Sequence, residues 1–179
     1  MTRIGLISDT HGYLDEAVFT HFKNCDEIWH GGDFGTIDIA DRLRAEGDPS
    51  RKTPVIFKGV YGNVDGYDVR SIYPEKLLFT CEEVNVFMIH IGIPYFNKSK
   101  KQGFFNPLPF REELGLRPPQ LFISGHSHIL KIIYDDQVNC LYMNPGAAGK
   151  QGWQKVRTVI RFAIDGKEIK DCEVIELGK

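Results

Sequence analysis

Five short apolar runs in this chain each stop at a cluster of side chains able to hold a cation, which leaves few folds open. Ile4–Ser8 runs into Asp9-Thr10-His11, and Ile28–His30 into Gly31-Gly32-Asp33. Val55–Val60 leads to Gly62-Asn63, Val84–Ile89 ends in His90, and Leu121–Ser124 leads to Gly125-His126-Ser127-His128. Short apolar runs bounded by glycine and polar residues read as strands. A chain that ends strand after strand on ligand-type residues gathers those residues at one edge of a sheet.

The segments between the runs set the layering. Strands at Arg3–Ile7, Glu27–His30 and Pro54–Val60 are separated by stretches with helical spacing. The spacing predicts one helix over about Asp15–Lys23, with Asp15 as N-cap and Ala17, Val18 and Phe22 facing inward. It predicts another over Thr36–Ala45, with Thr36 as N-cap, Ile37, Ala40 and Leu43 on one side, and Gly47 and Pro49 ending it. Parallel strands need such crossovers, so this βαβαβ opening predicts a parallel sheet. After Tyr73 the pattern changes to hairpins: Lys76–Thr80 with Val84–Ile91, Ile129–Tyr134 with Asn139–Met143, and Val156–Ile164 with Glu168–Glu176. Asp165-Gly166 between the last two runs is a strong hairpin turn signal. The expected architecture is two mixed sheets packed together with helices outside, forming one domain over residues 1–179. Pro94–Pro109 reads as a long irregular segment, and Pro118-Pro119 as a boundary before the Leu121 strand.

Composition excludes several classes. A formal net charge of -2 gives no general attraction for nucleic acid or an anionic membrane. No apolar stretch reaches the length of a membrane span. Met1-Thr2-Arg3 leads straight into a strand with no basic-then-apolar leader, so a cytoplasmic location is expected. Cys25, Cys81, Cys140 and Cys172 contain no CxxC pair and read as reduced, buried or half-buried thiols.

The ligand clusters carry the chemistry. Asp9 and His11 are two apart, so in an extended segment carboxylate and imidazole point the same way. Asp33 follows two glycines that let the backbone turn closely, and its two oxygens make it the candidate bridge between two cations. Asn63 offers a neutral amide oxygen, and His90 closes an apolar run. His126 and His128 form a two-pronged imidazole arm. Singly, Asp33 reads as a helix cap, Gly62-Asn63 as a turn and His90 as a core residue. Together at five strand ends they read as a metal site. His30 falls either behind Asp33 or in the core, and His21 on a helix surface. Carboxylates, an amide and imidazoles without a thiolate suit Mn, Fe(II), Ni or Zn better than Ca.

The ordered set Asp9-x-His11, Gly32-Asp33, Gly62-Asn63, His90 and Gly125-His126-x-His128 resembles the calcineurin-like metallophosphoesterase superfamily. The short chain is most similar to its small stand-alone phosphodiesterases, the YfcE-like branch, which share a fold with the retromer scaffold subunit. The resemblance runs from Ile4 to about Ala148 and implies a four-layer α/β/β/α sandwich. It implies two divalent metal ions, Mn first, with Ni, Fe, Zn or Mg also suited. Asp9, His11, Asp33 and His128 would hold one, and Asp33, Asn63, His90 and His126 the other. Asp33, Asn63 and His126 would be the catalytic residues, and Asn144-Pro145-Gly146 looks like the family's turn beside the metals. Two such cations about 3.5–4 Å apart activate a shared water for in-line attack on a phosphate ester. The implied partner is a small-molecule phosphate ester, with no membrane or nucleic acid, and a homo-oligomer is compatible with it.

Three departures stand out. Val64 occupies the position where many relatives have a leaving-group acid, a His in the widest pattern. Ile91 follows His90 where Gly is usual. The loop Tyr95–Phe105 places Lys98, Lys100 and Lys101 between Phe96 and Phe104-Phe105, which reads as a solvated charged loop with aromatic anchors. Two alternatives stay open at this point: a metal-binding scaffold for protein partners, and a phosphomonoesterase or nuclease using the same residues.

Overall fold

The computed structural model describes residues 1–45, 55–98, 104–114 and 119–179. In chain order the elements are β1 (Thr2–Ile7), α1 (Ala17–Phe22), β2 (Glu27–His30), α2 (Ile37–Ala45), β3 (Ile56–Gly59) and α3 (Tyr67–Arg70). Then come β4 (Lys76–Cys81), β5 (Val84–Ile89), a 3-10 turn at Ile93–Tyr95 and α4 (Pro107–Leu114). The chain closes with β6 (Leu121–Ile123), β7 (Lys131–Asp135), β8 (Cys140–Asn144), β9 (Thr158–Asp165) and β10 (Glu168–Glu176).

Two five-stranded sheets result, ordered β10-β9-β1-β2-β3 and β4-β5-β6-β8-β7. β1, β2 and β3 are mutually parallel, as are β5, β6 and β8, and the hairpin partners run antiparallel. The last hairpin adds to the edge of β1 through β9, so the chain's tail completes the first sheet.

Strand alternation sorts side chains into three apolar layers. Between the sheets lie Ile4, Leu6, Trp29, Val86, Met88, Ile123, Met143, Ile160 and Phe162. The first sheet's outer face carries Ile7, Ile28 and Val159 against Val18 and Phe22 of α1 and Ile39, Ala40 and Leu43 of α2. The second sheet's outer face carries Phe87, Phe122 and Tyr142 against Tyr95, Phe105 and Phe110. Helix, sheet, sheet and helix form the expected four-layer α/β/β/α sandwich.

Some boundaries differ from expectation. α1 begins at Ala17, yet Asp15 keeps the capping contact, its Oδ1 accepting the Ala17 N–H at 2.9 Å. The expected end of α2 at Gly47 and Pro49 lies outside the described residues, as do Pro54, Lys100, Lys101 and Pro118. β7 starts at Lys131, two residues later than expected. Pro94–Pro109 is not irregular throughout: it holds most of the 3-10 turn and the start of α4. Aromatic packing orders it. Phe87, Tyr95, Phe105, Phe110 and Phe122 form a chain of mostly edge-on and tilted ring contacts with centroids 4.8–6.0 Å apart, and the buried Asp135 carboxylate accepts the Phe104 and Phe105 N–H groups at 2.8 and 2.9 Å. Cys25, Cys81 and Cys140 are buried as expected. Cys172 is exposed, because its stretch of the edge strand β10 faces solvent.

Candidate metal centre

Each expected ligand lies just past the carboxyl end of a parallel strand: Asp9 and His11 after β1, Asp33 after β2, Asn63 after β3, His90 after β5, and His126 and His128 after β6. The crevice beyond those ends is where open α/β sheets place ligands. Turning the chain there demands unusual backbone. Asp9, His11, Asp33, His126 and His128 all have φ between 48° and 66°, a region L-residues rarely occupy and one that recurs where function dictates geometry. Two glycines permit the close approach. A Cβ on Gly62 would fall 2.0 Å from Asp33 Oδ1, and Gly32, at φ 101°, would place one 2.5 Å from the His90 ring.

The donor atoms converge in two groups, Asp9–His11–His128 and Asp33–His90–His126, each within 4.8 Å internally. Hydrogen bonds fix which atoms face inward. His90 Nδ1 lies 2.9 Å from the Gly31 carbonyl, which can only accept, so that nitrogen carries the proton. His90 Nε2 then presents a lone pair to Asp33 Oδ2 at 3.1 Å and Asn63 Oδ1 at 3.1 Å. His128 repeats the arrangement. The Gln154 amide donates to the carbonyls of Gly149 and Gln151, so its Oε1 accepts from His128 Nδ1 at 3.0 Å. His128 Nε2 faces His11 Nε2 at 3.2 Å and Asp9 Oδ1 at 3.3 Å. Asn63 Oδ1 also meets His126 Nδ1 at 2.8 Å. Asp33 spends Oδ1 on the Val64 N–H at 2.9 Å and turns Oδ2 between the groups, 3.1 Å from His90 and 3.9 Å from His11. Lone pairs crowded this closely call for positive charge among them. Divalent metal ions satisfy that requirement, so the donor set fits them.

Residues 2–167 match the calcineurin-like phosphoesterase superfamily domain. The chain belongs to that family. A probable metallophosphoesterase of Methanothermobacter thermautotrophicus is 30% identical over 98% of this chain and 92% of its own length. Two solved structures share the fold. An archaeal phosphodiesterase superposes with a TM-score of 0.67 at 20% identity, covering 98% of this chain and 99% of its own. Vps29 of Entamoeba histolytica, solved with Zn²⁺, gives 0.68 at 14% identity, covering 97% and 98%.

Electrostatics at the site of this family member follow the geometry. The hydrogen bond to Asp9 holds the His128 imidazole above its usual value, against the effect of burial. Burial works to lower His90, but the Asp33 hydrogen bond and the Asp9 charge outweigh it and leave it raised. Burial works to raise Asp33, and His90 with the Val64 N–H holds it below the carboxylate range. Burial lowers His11, against the pull of Asp33 and Asp9.

Several supporting residues escape sequence reading. Ser8 Oγ donates to Asp9 Oδ2 at 2.6 Å, and the His126 N–H donates to both Asp9 oxygens at 3.1 and 3.2 Å. Gln154 orients His128 from a loop without any motif; its adjacency in space was the missing signal. Asn144 does sit beside the site, as its motif suggests. Its amide donates to Gly125 O and Ser127 Oγ, which braces the loop carrying both histidines. His30 turns out to be both packed and supporting. It is fully buried and stacked on Phe34 at 3.7 Å. Its Nδ1 accepts the Gly32 N–H at 3.1 Å, which leaves the Nε2 proton to donate to Thr10 Oγ1 at 3.1 Å.

Proposed function

We propose that the chain is a metal-dependent phosphodiesterase, with residues 1–179 acting as one catalytic domain. Asp9, His11, Asp33 and His128 hold one divalent cation, and Asp33, Asn63, His90 and His126 hold the second. The observation that carries this reading is the convergence of proton-free acceptors: His90 Nε2, Asp33 Oδ2 and Asn63 Oδ1 within 3.1 Å contacts, opposite His128 Nε2 and Asp9 Oδ1 at 3.3 Å. A proton on each imidazole satisfies one neighbour apiece, whereas cations satisfy all of them. The neutral tautomers that Gly31 and Gln154 impose on His90 and His128 are the ligating forms.

When bound, such cations supply Lewis acidity to water and to the phosphoryl oxygens. The chain's residues do the rest. Asp33 reaches both groups through one oxygen while Val64 N–H holds the other still. Asn63, exposed at the mouth, turns its Oδ1 inward and leaves its NH₂ for a phosphoryl oxygen. His126, also exposed, commits Nδ1 to the same group. The Val64 side chain is half exposed and has no proton to give, which favours diesters with good leaving groups. A small-molecule ester in the cytoplasm and a Mn²⁺ preference complete the reading, and its phosphoesterase part is supported by the metallophosphoesterase relative.

The test is hydrolysis of bis-p-nitrophenyl phosphate and p-nitrophenyl phosphate by EDTA-stripped protein, with and without Mn²⁺, Ni²⁺ or Zn²⁺. Metal-restored turnover favouring the diester is the expected result. Monoester preference revises the substrate. Stoichiometric metal binding without turnover would replace the enzyme with a scaffold of this fold.

A further inference from the structure

A cleft of about 410 Å³ has Asn63 and His90 at its edge and extends beyond them. Its volume lies within the range of small-molecule pockets and exceeds what a bare phosphate requires. Its walls are mainly apolar and aromatic: Tyr61, Ile89, Ile91, Pro94 and Tyr95. Ile91 and Pro94 are exposed along one wall, while Tyr95 is buried and held by the aromatic layer. Arg70 lies with its guanidinium 4.6 Å from the centre of the Tyr61 ring, in cation–π contact. It also donates to the carbonyls of Asp65, Gly62 and Asn63 at 2.7, 3.2 and 3.3 Å, which holds the Asn63 loop at the cleft's edge.

Charge narrows the ligand. Arg70 and Lys76 stand against Glu75 in the lining, so no concentrated positive field awaits a second anionic group. A lining of exposed Ile91 and Pro94 and half-buried Tyr61, backed by buried Ile89 and Tyr95, suits a flat, uncharged ring.

We infer that this cleft binds a planar aromatic group esterified to the phosphate, a nucleobase-bearing or aryl substituent, with Ile91 as a specificity-determining wall. This rests on the phosphodiesterase reading for its substrate and on the cleft's geometry for its selectivity. The Ile91 side chain, standing directly after the His90 ligand, covers the ring.

Phenylphosphonate and methylphosphonate test it, because they share the phosphonate, differ in the ring and resist hydrolysis. Binding to Mn²⁺-loaded protein is measured by calorimetry and by inhibition of bis-p-nitrophenyl phosphate turnover. The ring should tighten binding about tenfold or more. That ratio should fall to about threefold or less in Ile91→Asp and in Pro94→Asp, and persist in Ile91→Leu. Both altered positions are exposed, and unchanged melting temperatures verify the fold. Equal binding of the two phosphonates overturns the assignment, as does a ring preference that both Asp variants retain. Turnover alongside equal binding leaves the phosphodiesterase reading standing. A ring preference without turnover supports the cleft and removes the enzyme.

Discussion

The two halves of the site are built differently. In one, His11 and His128 are half-buried, with their Nε2 atoms 3.2 Å apart. Asp9 is fully buried between Ser8 and the His126 N–H, and Gln154 ties His128 to the loop after β8. In the other, Asp33 and His90 are buried, but Asn63 and His126 beside them are exposed, and Asn63 borders the cleft. The first half is braced from behind by Ser8 and Gln154, and the second keeps an edge on the cleft. The proposed chemistry uses both, because braced side chains hold their geometry while an open edge admits an ester.

The sharpest way to break that comparison is at the group both halves share. Asp33→Asn keeps the shape and removes the charge, and it should reduce metal-restored turnover at least about 10²-fold, beyond the 10–100-fold typical of outer-layer partners. Steady-state kinetics with calorimetric metal stoichiometry checks it.

Gln154→Ala should damage the half it braces alone, weakening one of two proposed metal-binding events by about 10–100-fold and leaving the other. A biphasic calorimetric titration that shifts in both phases would mean the halves are not independent.

His30 spans both halves through Thr10 and Gly32, and burial pushes its imidazole down to about 3. A depressed folded value means its contribution is present above pH 6.5 or so and is lost as pH falls from there toward 3. At pH 5 the loss is about 2 kcal/mol. In metal-free protein His90 and His128 shift upward and oppose this, since their contribution is full below about 6.5 and fades as pH rises through their higher folded values. His30→Gln isolates the term: its chemical-denaturation stability should decline less steeply between pH 7 and 5 than the parent's.

The smallest expected effect is a gain on the open half. Val64→His places a proton donor beside Asn63, and alkyl diesters with poor leaving groups should turn over about tenfold faster, below the usual 10²–10⁴-fold range because the ring is unsupported. Gains equal on good and poor leaving groups would rule out acid catalysis as the cause.

Much of this site is legible without coordinates. Asp9, His11, Asp33, Asn63, His90, His126 and His128 stand at strand ends, and strand ends are read from local apolar periodicity. The hairpins after Tyr73 are legible for the same reason, since adjacent strands and a turn such as Asp165-Gly166 form over a few residues. The helix α4 was not, because Phe105 and Phe110 are ordered by Phe87 and Phe122 rather than by their own neighbours.

The sequence by itself therefore determined the layered fold and which candidate ligand side chains stand at the strand ends, both written in short-range spacing. Tertiary structure alone decided which atoms face inward. The His126 N–H reaches Asp9 across 117 residues, Gln154 sets the tautomer of His128 across 26, and the cleft forms only where Tyr61 and Arg70 meet Ile91 and Pro94. Such contacts join segments from different strands and loops, and no local pattern records where two distant backbones will meet.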